Sequence, residues 1–298
     1  YNVQVEPERI IVTPGSSGAF ILTFTGLFDV GDTVGVGSPG YPSYRQILKA
    51  LSLNTNTIKT FNNNKFQPVV ADIINNSLDG LLVASPANPT GSMLNKYDLE
   101  KLIDACKMKQ TVFISDEIYH GIEYESRAVS ALEVSDDCIV INSFSKYFSM
   151  TGWRLGWVVV PKNHIRQFER LAQNMFICAP HISQIAALGA LDASDELNLN
   201  LKTYEANRTI LIEELPKLGL KNFAPPDGAF YFYIDVSEYT GDSVNFAKNV
   251  LDEVHVAITP GIDFDPERGL KTIRLSYACS TSDLKEGLKR LELSLIHI

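Results

Sequence analysis

Six short, continuously apolar runs recur along the first half of the chain: Arg9–Thr13 (RIIVT), Thr33–Gly37 (TVGVG), Gly80–Ser85 (GLLVAS), Thr111–Asp116 (TVFISD), Cys138–Asn142 (CIVIN) and Gly156–Val160 (GWVVV). Runs this short and this uniformly apolar fit strands buried on both faces, because a strand with one wet face alternates polar and apolar residues. Helical periodicity fills several of the gaps, at Ala19–Phe28, Tyr44–Leu51, Tyr97–Lys107 and Ile165–Met175. The alternation predicts an α/β fold with a mostly parallel sheet sandwiched by helices. In such sheets ligands sit beyond the carboxyl ends of the strands, so the loops that follow the runs are where chemistry is expected.

After Ser183 the texture changes. Helical runs at Ile185–Leu191 and Leu199–Leu215 lead to GAFYFYIDV (Gly228–Val236), a helix near Val244–Val254, HVAITPG (His255–Gly261), TIRLSYA (Thr272–Ala278) and a closing helix from Ser282. This predicts a smaller C-terminal α+β domain, with residues 1–205 forming the large domain and 206–298 the small one. Phe230, Tyr231, Phe232 and Tyr233 read as strand packing. The closing LSLIHI extends the last helix without a role of its own.

The net charge of -9 excludes a nucleic-acid surface, which needs clustered Lys and Arg. Cys106, Cys138, Cys178 and Cys279 lie far apart with no C-x-x-C or zinc spacing, and the five histidines form no i, i+4 pair, so no metal site is expected. Neither a membrane-length apolar run nor a signal-peptide pattern is present, and reduced thiols in the cytoplasm are expected.

The loops after the strands carry unusual chemistry. Pro14-Gly15-Ser16-Ser17-Gly18 opens a helix and turns amides and hydroxyls toward one point, a cradle for an anion. Pro86-Ala87-Asn88-Pro89-Thr90-Gly91 holds an asparagine between two prolines. Asp116-Glu117-Ile118-Tyr119 places a carboxylate at the end of a buried strand. The stretch NSFSKYFSMTGWRLG (Asn142–Gly156) sets Lys146 among serines and Arg154 eight residues later. Taken singly, each has an ordinary structural reading: a helix cap, a turn, a second cap, a solvated lysine. Together they supply an anion cradle, a rigid amide, a carboxylate and an amine. Those are the needs of a phosphorylated, carbonyl-bearing cofactor with a ring nitrogen, as pyridoxal 5'-phosphate is.

SPANPTG, SDEIY, SFSKYFSMTGWRLG and IRLSYA, in that order from about Ile10 to Arg290, resemble the successive motifs of the class I/II aminotransferases, the aspartate-aminotransferase-like enzymes of fold type I. The resemblance implies a transaminase that moves an amino group between an L-amino acid and a 2-oxo acid with ping-pong kinetics. It implies Lys146 as Schiff-base lysine and general base, Asp116 as the partner of the pyridine nitrogen, and Tyr119 with Asn88 as partners of the ring hydroxyl. Ser16, Ser17, Gly18, Ser143, Ser145 and Arg154 are implied for the phosphate. Tyr41 is implied for stacking on the ring, with a buried structural tyrosine as the alternative. Arg274, with Asn88, is implied for the substrate α-carboxylate, through the fork geometry of a guanidinium. A homodimer is implied too, along with a further N-terminal segment that this sequence begins after. Carbon-sulfur lyases share the cofactor and the motifs, and the aminotransferase-like sensor domain of a transcription regulator is a third possibility.

Overall fold

The computed structural model describes residues 2–296; His297 and Ile298 of the closing LSLIHI lie outside the described residues. The chain opens with β1 (Ile10–Thr13), α1 (Gly15–Leu27), β2 (Thr33–Ser38), α2 (Pro42–Ala50), β3 (Asn54–Lys59), α3 (Val70–Ile74), β4 (Gly80–Ala84), α4 (Lys96–Lys109) and β5 (Val112–Asp116). It continues through β6 (Ile139–Ser143), β7 (Gly156–Val159), α5 (Ile165–Met175), α6 (His181–Leu191) and α7 (Ser194–Glu214). A second unit holds β8 (Tyr231–Asp235), α8 (Ser243–Val254), β9 (Thr259–Pro260), β10 (Thr272–Ser276) and α9 (Thr281–Ile296).

Seven strands form one sheet in the order β1-β7-β6-β5-β4-β2-β3. The β3–β2, β2–β4, β4–β5 and β5–β6 pairs are parallel, and β7 runs antiparallel to both β6 and β1. The expected mostly parallel sheet is thus present, with one reversed strand. Reversal puts the start of β7 beside the ends of its neighbours: Gly156 lies opposite both Ser143 and Thr13. The β1–α1 turn and the β6–β7 loop are therefore brought to the same edge of the sheet.

Successive residues in a strand point to opposite faces, and both faces are covered. Leu82, Ile114, Ile141 and Val158 join Phe20, Phe24, Leu48 and Phe168 from α1, α2 and α5 on one side. Leu81, Val83, Phe113, Val140 and Val159 meet Ile73, Leu99, Leu102 and Ile103 from α3 and α4 on the other. Burying each such side chain is worth roughly 1.5–3 kcal/mol, which explains runs without polar breaks. α1 is apolar nearly all round because it lies between the sheet and two other helices.

The smaller antiparallel sheet has the order β8-β10-β9. Its Phe232, Ile234, Ile273 and Leu275 face a core with Leu211, Phe246, Val250, Leu284 and Leu288 from α7, α8 and α9. The alternate residues Tyr231, Tyr233 and Arg274 occupy the other face, with Arg274 opposite Tyr233 in register. No helix among the described residues is long and apolar enough to cross a membrane.

Candidate functional site

One cavity of about 330 Å³ opens at the carboxyl edge of the large sheet. It is lined by Ser16, Ser17, Phe20, Tyr41, Tyr44, Asn88, Asp116, Ile118, Tyr119, Ser145, Lys146, Thr151, Arg154, Tyr231 and Arg274. Its charged groups are one acid and three bases, an arrangement that attracts a ligand carrying several negative charges.

At one end, Pro14 precedes α1 and no side chain caps the helix, which leaves the first-turn N–H groups of Ser16 and Ser17 for a ligand. Arg154 reaches beneath that helix start. It adopts φ +53°, a left-handed conformation that costs a non-glycine residue about 1 kcal/mol, and donates to the Thr151 carbonyl at 2.8 Å. Among the described residues no carboxylate pairs with it. Gly15, at φ +76°, makes room: a Cβ there would fall 2.4 Å from the Arg154 guanidinium. Gly156 is equally constrained, since a Cβ would lie 2.8 Å from the backbone of Gly15, Ser16 and Asn142. An anion is the natural occupant of this end.

In the middle, the Lys146 Nζ lies 5.6 Å from the Tyr119 ring centroid and 5.8 Å from that of Phe230. Burial, followed by the charge of Arg274, holds its amine below the usual lysine range, with Asp116 opposing. A neutral amine, and hence a nucleophile, is thereby favoured. Asp116 is pushed up to about 6, chiefly by burial, against the Tyr44 hydroxyl that donates to Oδ2 and the Ile118 amide that donates to Oδ1 at 3.1 Å. Near neutral pH it is an anion facing the cavity, suited to a cationic ring nitrogen. The Tyr119 and Tyr231 hydroxyls are bonded to each other at 2.9 Å, and burial raises the pKa of both, so each stays a neutral phenol.

At the far end, Arg274 joins the two units. It donates to Asn88 Oδ1 at 2.9 Å and to Thr259 Oγ1 at 3.3 Å, and its guanidinium stacks 4.3 Å from the Tyr231 centroid and 4.7 Å from that of Phe264. Its Nε is buried with no hydrogen-bond partner. Such an orphaned donor is costly unless a ligand takes it. A carboxylate fits that position.

Ten of the twelve expected site residues therefore line one cavity, and two do not reach it: Ser16, Ser17, Tyr41, Asn88, Asp116, Tyr119, Ser145, Lys146, Arg154 and Arg274 do, whereas Ser143 and Gly18 do not. Ser143 stands behind Ser145, its Oγ donating to the Leu155 carbonyl (3.0 Å) and accepting from Ser145 Oγ (2.9 Å). Gly18 packs on Thr13 and Pro14. Tyr44, Thr151 and Tyr231 are additions. Tyr44 follows Tyr41 by three residues, the spacing that puts two side chains on one helix face. Tyr231 corrects the strand-packing expectation: Phe232 packs in the core, while Tyr231 faces the cavity.

A family model described as aminotransferase class I and II matches residues 1–291. The chain is 43% identical over 297 residues to the valine–pyruvate aminotransferase of Mycobacterium tuberculosis, which covers 98% of this chain and 76% of that protein. It is 33% identical over 300 residues to the aspartate aminotransferase of Thermotoga maritima, covering 98% and 77%. Among solved structures, one from Silicibacter pomeroyi is 59% identical with a TM-score of 0.98, covering all of this chain and 80% of that one.

Proposed function

The chain belongs to the class I and II aminotransferases, and on that premise we propose that Lys146, Asp116 and Arg274 carry its transfer of an amino group between an L-amino acid and a 2-oxo acid. Its cofactor is pyridoxal 5'-phosphate. The observation that carries the residue assignment is one cavity with an uncapped helix start at one end, an orphaned guanidinium donor at the other, and an amine and a carboxylate between them.

When bound, the cofactor supplies a cationic ring that takes up the electrons left as the substrate Cα loses its proton. Ser16, Ser17, Ser145, Thr151 and Arg154 hold the phosphate. Asp116, kept anionic by the Tyr44 and Ile118 donors, holds the ring nitrogen protonated. Tyr119 and Asn88 would bond the ring hydroxyl, and Tyr41 would lie against the ring. Ser143 and Gly18 act one layer back, by fixing Ser145 and the first turn of α1. Lys146 would hold the cofactor through its amine, and that amine, when free, is placed to remove the substrate Cα proton as general base. Arg274 orients the α-carboxylate. Donor and acceptor use this one site in turn, which gives ping-pong kinetics.

The amino donor is read as an uncharged aliphatic amino acid. Lys146, Arg154 and Arg274 are the cations that line the cavity, and each is already engaged, while a relative sharing 43% identity is named for valine and pyruvate. A panel of amino donors with pyruvate and 2-oxoglutarate as acceptors tests this. Valine or another aliphatic donor should exceed aspartate in kcat/KM by about tenfold or more, the scale of a charged group left unpaired. Aspartate as the best donor contradicts the donor class, and pyruvate with ammonia formed without an acceptor indicates lyase chemistry.

Two further readings concern the whole molecule. The chain works as a homodimer: Met175, Ile177, Ile182, Ile185, Leu188 and Leu191 expose an apolar stripe along α5 and α6, near Trp153 beside the site. Sedimentation at twice the 33.0 kDa chain mass is expected, and a single boundary at one chain mass contradicts it. The large and small domains divide within α7 near residue 205, where Leu201 packs beside Tyr119, Tyr204 touches both clusters and Leu211 joins the small core. Uniform amide-exchange protection along all of α7 would argue against that division. The unpaired cysteines suit the reducing cytoplasm, which cell fractionation checks.

A further inference from the structure

A second buried polar cluster lies behind the cavity. Glu117 follows Asp116 and so points to the opposite side of the sheet, where it is 2% exposed. Its Oε1 accepts from the Ser115 and Ser130 hydroxyls, both at 3.1 Å, and from the Ala131 amide at 2.8 Å. Its Oε2 faces Nδ1 of His120 at 3.4 Å. His120 Nε2 lies 2.9 Å from the carbonyl oxygen of Ser85. A carbonyl only accepts, so Nε2 carries the proton and donates. Burial pushes His120 down to about 4, with Arg127 assisting and Glu123 and Glu133 opposing, so the ring is neutral and has one N–H to give. Burial also pushes Glu117 up to about 7, against the Ala131, Ser130 and Ser115 donors.

None of these groups lines the cavity, but Ser85 is the root of the loop that carries Asn88. Its amide donates to the Asp116 carbonyl at 3.3 Å, and its hydroxyl accepts from the returning Leu94 amide at 2.9 Å. His120 sits in the same turn as Tyr119, with its own amide on the Glu117 carbonyl at 3.0 Å. We propose that His120 is a positioning residue: by donating to the Ser85 carbonyl it holds the Asn88 loop where Asn88 accepts from Arg274, and so sets affinity for the substrate carboxylate. The inference rests on reading Asn88 and Arg274 as the carboxylate grip.

The test compares His120→Leu, His120→Gln and His120→Asn in the cofactor-loaded enzyme. Pyruvate is the probe, because it has no amine to transfer and its equilibrium binding is read by calorimetry. Glutamine places an amide N–H where Nε2 sits, whereas asparagine places one only at the Nδ1 position. Leucine and asparagine are expected to weaken pyruvate binding about tenfold, the scale of one lost hydrogen bond to a buried carbonyl. Glutamine should remain within about threefold, and in all three variants cofactor affinity should change less than pyruvate affinity, because Tyr119 shares the ring hydroxyl with Asn88. If His120→Leu does not fold, the contrast between glutamine and asparagine carries the test. Equal pyruvate affinity in those two variants, or a loss of cofactor affinity as large as that of pyruvate, overturns the proposal. Arg274→Lys is the reference. If it weakens pyruvate binding and His120→Asn does not, the grip stands and the role of His120 falls. If Arg274→Lys leaves pyruvate binding intact, the grip falls and the His120 proposal with it.

Discussion

Replacing Lys146 with alanine is expected to lower kcat by about 10⁴-fold or more, since a general base alone contributes up to that factor and the covalent anchor is lost with it. The expectation follows from the surroundings of the amine. Nζ is held between the rings of Tyr119 and Phe230, and burial with the nearby Arg274 charge keeps its pKa below that of an ordinary lysine. Among the described residues no other lysine lines the cavity to take over. The visible absorbance of the lysine-bound cofactor should vanish while far-ultraviolet circular dichroism stays as in the parent, because the fold does not depend on this side chain. Turnover within tenfold of the parent would remove Lys146 from the role given to it.

Arg274→Lys is expected to raise KM for both the amino acid and the 2-oxo acid by about 30-fold or more, toward the lower end of the roughly 2–5 kcal/mol lost when a buried, hydrogen-bonded charge pair is broken. Charge is kept in this variant, so the loss reports geometry. Arg274 holds Asn88 with one terminal nitrogen, Thr259 with the other, and leaves Nε for the ligand. A lysine amine is a single point that cannot span those partners and a carboxylate together. Steady-state kinetics with both substrates checks it, with cofactor affinity measured alongside. A KM unchanged for both substrates would show that the carboxylate is bound elsewhere.

How much of this was legible in the sequence depended on whether a residue's role is local. Doubly buried strands announce themselves as unbroken apolar runs, and the five inner ones were found; the sixth run, β1, is apolar although it lies at the other edge with Ile10 and Val12 exposed. The seventh, β3, reads NTNTIK and could not be: it lies at the sheet edge with a largely solvent-facing side, where burial imposes no pattern. The reversal of β7 was also hidden, because a buried strand has the same composition in either direction. At the site, residues placed directly by a strand end, such as Asp116 and Lys146, were legible from position and chemistry. Tyr44 was not, although its hydroxyl fixes Asp116, because the contact spans 72 residues of sequence. Ser143 shows the opposite failure: its place in a serine-rich loop suggested a direct contact, and only the fold shows that its hydroxyl is spent on Ser145 and Leu155. Tyr231 became visible as a cavity residue once the small sheet fixed which side of β8 faces Arg274.

The most direct measurement is to load the enzyme with pyridoxal phosphate, reduce it with borohydride, digest it and locate the modified residue by mass spectrometry. One cofactor per chain is expected, on the peptide containing Lys146. Modification of a different lysine, or none above the level of the Lys146→Ala control, would contradict it.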